Sequence, residues 1–278
     1  MASTLGIDLA SQPESTAVCA IQWDPSPRVT ALWRGVHGDG VTKLHDELLL
    51  SAMRGDFQDD IEKIGVDAPF GWPQAFVAAI QDPDAWPVEI DHDRSRLERR
   101  DTDRWVREQT GKQPLSVSTD RIAYPAMRLA GLLSAYRLAT RTEVDRTGRT
   151  GMFCEVYPDP AIRRFGLWSA DAPPRESYKG PRGRDRRSSV VDLLTTKAPW
   201  LEIDESHVGA CRDHDDCLDA VLCALVARAA AVGLTQAIPD RYVASAAVEG
   251  WIHLPVADAL PGLRPQDPTV TPRRRDSR

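Results

Sequence analysis

Cys211-Arg-Asp-His-Asp-Asp-Cys-Leu-Asp-Ala220 runs straight into Val221-Leu-Cys-Ala-Leu-Val-Ala-Arg-Ala-Ala-Ala231, and this passage decides the fold. Leu218, Leu222, Leu225 and Ala229 recur at the spacing of one helical stripe, and Asp213 or Asp215 suits the N-cap, so a helix is expected from near Asp215. That helix opens with carboxylates. Asp216 and Asp219 stand three apart, and Asp215 and Asp219 four apart, so either pairing sets like charges on one face. The positive helix N-terminus accounts for acids in the first turn, but Asp219 lies beyond it among Ala, Val and Leu, where it costs helix propensity and desolvation. Two readings follow: a bound cation that removes both penalties, or acids on a solvated first turn.

At 278 residues, 42% of them hydrophobic, the chain can hold one large domain or one domain with a sizeable insertion. The apolar run from Ala220 to Ala231 is interrupted by Arg228 and too short for a membrane span. The N-terminus enters a strand without a basic-then-apolar leader, so a cytoplasmic location with no membrane partner is expected. Five cysteines (Cys19, Cys154, Cys211, Cys217, Cys223) include no C-x-x-C pair and are expected to be reduced thiols. The net charge of −6 conceals clustering. Arg94, Arg96, Arg99, Arg100, Arg104 and Arg107 alternate with Glu98, Asp101 and Asp103, as on a salt-bridged helix face. Arg175, Lys179, Arg182, Arg184, Arg186 and Arg187 lie in a Gly- and Pro-rich loop, about 172–187, better suited to touching phosphates.

Taken in order, Thr4 to Leu9 reads as a buried strand, and Thr16 to Trp23 and Arg28 to Gly35 alternate as the rest of an antiparallel meander. A helix from Val41 to Arg54 precedes a short apolar strand, Lys63 to Pro69, expected to be parallel to its neighbour. A helix follows at 74–80. Residues from about 82 to 150 are mainly helical, clearest from Tyr124 to Leu138, and are expected to form an insertion. Gly151 to Tyr157 is the next strand, followed by a short helix to Phe165, a helix from Arg187 to Thr196, a polar stretch and the acidic helix. Val248 to Leu254 reads as a last strand or hairpin. The basic tail, 265–278, is expected to be disordered.

Asp8 and Asp67 fall at the carboxyl ends of their strands, the edge where open α/β sheets place their sites. An ionised Asp on a central strand must be paired, hydrogen-bonded or metal-bound. If the two strands are neighbours, Asp8 and Asp67 lie side by side, and a helix packed on that edge brings Asp216 and Asp219 within reach. Glu155, flanked by Cys154 and Val156, is a fifth candidate. An all-carboxylate site calls for Mg²⁺ or Mn²⁺, whose usual partner is phosphate. Two ions roughly 3.5–4 Å apart would activate water and stabilise the departing oxygen. Against this, Asp8 and Asp67 can serve local turns, and Glu155 can pair with an arginine such as Arg163 or Arg164.

Three meander strands, a helix, a strand and a late helix opening Asp-x-x-Asp-Ala resemble the ribonuclease H-like superfamily, in particular its Holliday-junction resolvase branch. Gly6-Ile-Asp-Leu-Ala-Ser11, Val66-Asp-Ala-Pro-Phe-Gly-Trp-Pro73, Arg100-Asp-Thr-Asp103, Glu155-Val-Tyr-Pro158, Tyr178-Lys179, His214-Asp-Asp-x-x-Asp-Ala220 and Glu249-Gly-Trp-Ile252 look like domain-of-unknown-function family 429, described as predicted nucleases of that fold. The resemblance implies an α/β mixed sheet flanked by helices over residues 1–255, and a metal-dependent nuclease acting on DNA or RNA. It implies Asp8, Asp67, Asp216 and Asp219 as metal ligands with Glu155 an adjunct, and Asp rather than Glu on the fourth strand departs from the resolvase pattern. His214 is placed to move a proton, or to sit at the surface by the helix cap. Lys179 and Tyr178, then Arg182 and Arg184, are the expected phosphate contacts. A homodimer is allowed, since resolvase-like domains often pair. The rival functions are a non-catalytic scaffold of this fold and a sugar-kinase or actin-like phosphotransferase, for which a second Asp-x-Gly phosphate loop and an adenosine-binding Gly pair are missing.

Overall fold

The first three strands form the expected antiparallel meander of β1 (Ser3–Asp8), β2 (Ala17–Gln22) and β3 (Arg28–Arg34), with β1 and β2 buried on both faces. The computed structural model describes residues 2–35, 46–58, 60–82, 84, 86, 90–168 and 176–265. Two further strands, β4 (Ile61–Asp67) and β5 (Phe153–Glu155), extend the sheet in parallel, giving the order β3-β2-β1-β4-β5. This mixed five-stranded sheet flanked by helices is an α/β architecture consistent with the ribonuclease H-like fold. Among the described residues no helix is long and apolar enough to cross a membrane.

One face of the sheet is covered by α1 (Asp46–Met53) and α5 (Ala123–Thr140), whose Leu49, Met53, Leu129 and Leu132 pack with Leu5, Ile7, Ile64 and Val66. The opposite face carries α6 (Pro158–Arg164), α7 (Arg184–Lys197), α8 (Glu205–Asp213) and α9 (Asp215–Ala231). Between β4 and β5 the chain also forms α2 (Gln74–Gln81), α3 (Ile90–Glu98) and α4 (Asp101–Thr110), and Trp105 of α4 packs on Trp251, just after α10 (Val243–Glu249).

The element that positions the site is α9, buried from Cys217 to Ala229. It sits unusually close to the sheet because Gly6 and Gly65 are register partners on β1 and β4. A Cβ on Gly6 would lie 2.0 Å from the Ala220 carbonyl oxygen and 2.3 Å from the Ala224 nitrogen, and one on Gly65 would lie 2.3 Å from the Cys223 oxygen. The absence of two side chains therefore makes the groove in which the helix backbone rests. Thr4 Oγ1 bonds the helix to the strand by donating to the Ala224 carbonyl at 3.0 Å, and accepts from Trp23 Nε1 at 3.0 Å.

Four expectations are corrected. The cap of α9 is His214 with no side-chain hydrogen bond, because Asp213 pairs with Arg184 and Asp215 accepts from the Gly180 backbone. Val248–Leu254 is not a strand: the Ala-rich run before it forms α10, Gly250 turns at φ 84°, and only Ile252 bridges to Glu155. The polar stretch before α9 contains α8, whose single buried residue, Cys211, left no stripe to read. Finally, α7 begins at Arg184 rather than Arg187. The expected helix start at 41–45, residues 172–175 of the basic loop and the tail from 266 lie outside the described residues.

Candidate metal centre

Side chains alternate along a strand, so Thr4, Gly6 and Asp8 share the α9 face of β1, as Gly65 and Asp67 share that face of β4. Asp8 and Asp67 are also register partners, each the last residue of its strand. Seated on the glycine pair two residues earlier, α9 brings Asp219 over the same edge. Oxygens of Asp8, Asp67 and Asp219 lie within 4.8 Å of one another, so these three residues could hold a metal ion. Asp8 and Asp67 are half-buried, and the Asp219 side chain is 1% exposed.

Burial, then the charge of Asp219, pushes the Asp8 carboxyl well above its usual range. Burial raises Asp67 to about 7 against the lowering effect of Lys179, and burial likewise raises Asp219. Lys179 Nζ lies 2.6 Å from Asp219 Oδ2 and 3.9 Å from Asp67 Oδ2. Burial alone would lower the lysine's pKa, but Asp219, Asp67 and Asp8 hold it well above the ordinary value. The Tyr178 hydroxyl donates to Asp219 Oδ1 at 2.6 Å. Asp219 Oδ2 is buried and accepts no well-aligned hydrogen bond, its close neighbour being the Lys179 ammonium.

The remaining expected site residues lie elsewhere. Asp216, three residues before Asp219, turns to β3 and pairs with Arg34 Nε at 2.6 Å, outside the three-carboxylate set. Glu155 projects with Phe153 from the opposite face of β5, where both carboxylate oxygens accept from Arg100 at 2.7 and 2.8 Å. Its partner is thus Arg100, not Arg163 or Arg164. Tyr178 is fully buried and reaches Asp219 rather than an open surface. His214 is exposed at the start of α9. Arg182 and Arg184 are exposed on the turn leading into α7, with Arg184 paired to Asp213.

Sequence reasoning missed the group that organises the far side of β5. Arg100 is buried between Glu155 and Asp103, and Glu249 accepts from the backbone nitrogens of Gln74 and Asp101, joining the starts of α2 and α4. Arg100-Asp-Thr-Asp103 stood out as a segment of the family resemblance and as part of a charged, helix-like run, but neither reveals that Arg100 and Asp103 are inside and paired with Glu155. Also unforeseen is a cavity of about 280 Å³ beside Asp67 and Lys179.

No curated protein and no solved structure matches the chain. Residues 6–243, which contain every residue of the acid cluster, match the family described as "Protein of unknown function (DUF429)". The chain belongs to the DUF429 family.

Proposed function

We propose that this protein is a metal-dependent nuclease that hydrolyses phosphodiester bonds of nucleic acid, with Asp8, Asp67 and Asp219 holding Mg²⁺ or Mn²⁺. The observation that carries the proposal is the convergence of these three carboxylates, from β1, β4 and α9, within 4.8 Å. Three oxygen donors without a thiolate or imidazole suit a hard dication, and Asp219 Oδ2, whose close neighbour is the Lys179 ammonium, is an acceptor that such an ion would share or take over. A bound Mg²⁺ or Mn²⁺ would supply Lewis acidity and make a bound water easier to deprotonate. Tyr178 fixes the rotamer of Asp219 through its hydroxyl. Lys179, with a side chain 42% exposed, sits at the rim, where its ammonium can take a phosphate oxygen once a cation neutralises the acids.

The test is cleavage of single-stranded and duplex DNA and RNA by purified protein with Mn²⁺ or Mg²⁺. Asp8→Asn is expected to abolish cutting while leaving the thermal midpoint equal or higher, because it removes one of three mutually repelling charges. Cleavage that survives Asp8→Asn, or that continues in EDTA, would contradict the proposal. A non-catalytic scaffold would cut none of these substrates with either metal.

A further inference from the structure

The lining of the cavity beside the acids is partly charged and partly apolar. Asp67 and Lys179 belong to it, which makes it continuous with the carboxylate cluster. Pro114, Leu115 and Ile122 supply apolar wall, and Leu115 is 48% exposed. Three further cations line the space. Arg100 is neutralised by Asp103 and Glu155, and Lys112 by Asp159 at 2.8 Å, whereas Arg121 is exposed and pairs with no carboxylate among the described residues.

A ligand matching this lining needs a flat apolar body against Leu115 and an anion within reach of Arg121. One nucleotide within a strand has both parts. The volume of about 280 Å³ falls at the small end of ligand cavities, enough for a single unit and far too little for a duplex. In a duplex the bases are stacked inward, so a base can enter a side cavity only from an unpaired or extruded position. Building on the nuclease reading above, we infer that the cavity binds one unpaired nucleotide of the substrate strand, with its base against Leu115 and its neighbouring phosphate on Arg121. The preferred substrate class is then single-stranded or locally unpaired nucleic acid.

The test uses the full chain in EDTA at fixed salt, following the fluorescence anisotropy of a short labelled oligothymidylate and of a blunt duplex of the same length. The strand is expected to bind more tightly than the duplex. Leu115→Asp and Arg121→Glu, both at exposed positions, are each expected to weaken strand binding by roughly fivefold or more, the first through loss of the base contact and the second through loss of a phosphate contact and the reversal of charge. Neither substitution should change the rise in thermal midpoint on adding Mn²⁺, which also shows that both variants are folded. Equal or tighter binding of the duplex, or undiminished strand binding by both variants, overturns the inference. Mn²⁺ stabilisation that survives Asp8→Asn would instead sink the metal reading, and it would do so separately, because the strand comparison is made without metal.

Discussion

Lys179 puts its ammonium 2.6 Å from Asp219 Oδ2 and 3.9 Å from Asp67 Oδ2, which makes it the internal competitor of any added cation. Lys179→Ala leaves the three carboxylates without a counter-charge. The metal-free protein should lose about 1–2 kcal/mol, less than the ~3–5 kcal/mol for breaking a fully buried pair, because the lysine side chain is 42% exposed. Mn²⁺ should then raise the thermal midpoint more in the variant than in the wild type, and an equal rise would show that the lysine and the ion do not share a site. His253 gives a second residue-scale prediction. Burial holds it down at about 4, with Nε2 hydrogen-bonded to the Thr147 carbonyl at 2.9 Å. The unfolded chain, with an ordinary value near 6.5, binds the proton more readily, so stability is complete above that pH and is lost as the pH falls toward 4. The loss should reach on the order of 3 kcal/mol and level off below the folded value. Denaturant melts of wild type and His253→Asn across this window isolate it: their stability difference should shrink as the pH falls, and a constant difference would refute the assignment.

At the scale of the element, α9 and the two strands beneath it form one device. Gly6 and Gly65 let the helix backbone down onto the sheet, and the residues two places further along, Asp8 and Asp67, meet Asp219 as a result. Gly6→Ala drives a methyl against the backbone of α9 rather than against a side chain that can rotate away. A cost of about 3 kcal/mol or more is expected, with loss of Mn²⁺ stabilisation because Asp219 rides on the displaced helix. Gly209→Ala in α8 is the control, since its added methyl meets nothing within 4 Å, and there a gain of up to about 1 kcal/mol is expected. Chemical denaturation of both variants, with and without Mn²⁺, checks the pair. A Gly6→Ala protein as stable as wild type would show that the contact between helix and sheet is looser than described.

For the whole molecule, the meander was legible because the apolar run of β1 and the alternation read along the next two strands are local properties, whereas the place of β4 beside β1 stayed a condition, since the pairing of strands so far apart in sequence leaves no local mark. Asp8 and Asp67 were legible as acids ending apolar strands. The choice between Asp216 and Asp219 was not, because it depends on how α9 is rotated over Gly6 and Gly65, a relation spanning most of the chain. Glu155 was misplaced for a related reason: β5 is only three residues long, and a shift of one residue along a strand reverses the face. Its pairing with Arg100 joins residues fifty-five apart in sequence and has no local pattern. The central claim, that three distant carboxylates form one cation site, is met most directly by titrating Mn²⁺ into the protein and following the free-ion signal by electron paramagnetic resonance. The account predicts that wild type depletes the signal, that Asp8→Asn, Asp67→Asn and Asp219→Asn each lose this binding, and that Glu155→Gln, on the other face of the sheet, retains it whenever it is folded. Wild-type protein that leaves the free Mn²⁺ signal undiminished, or an Asp219→Asn protein that binds as wild type does, would contradict it.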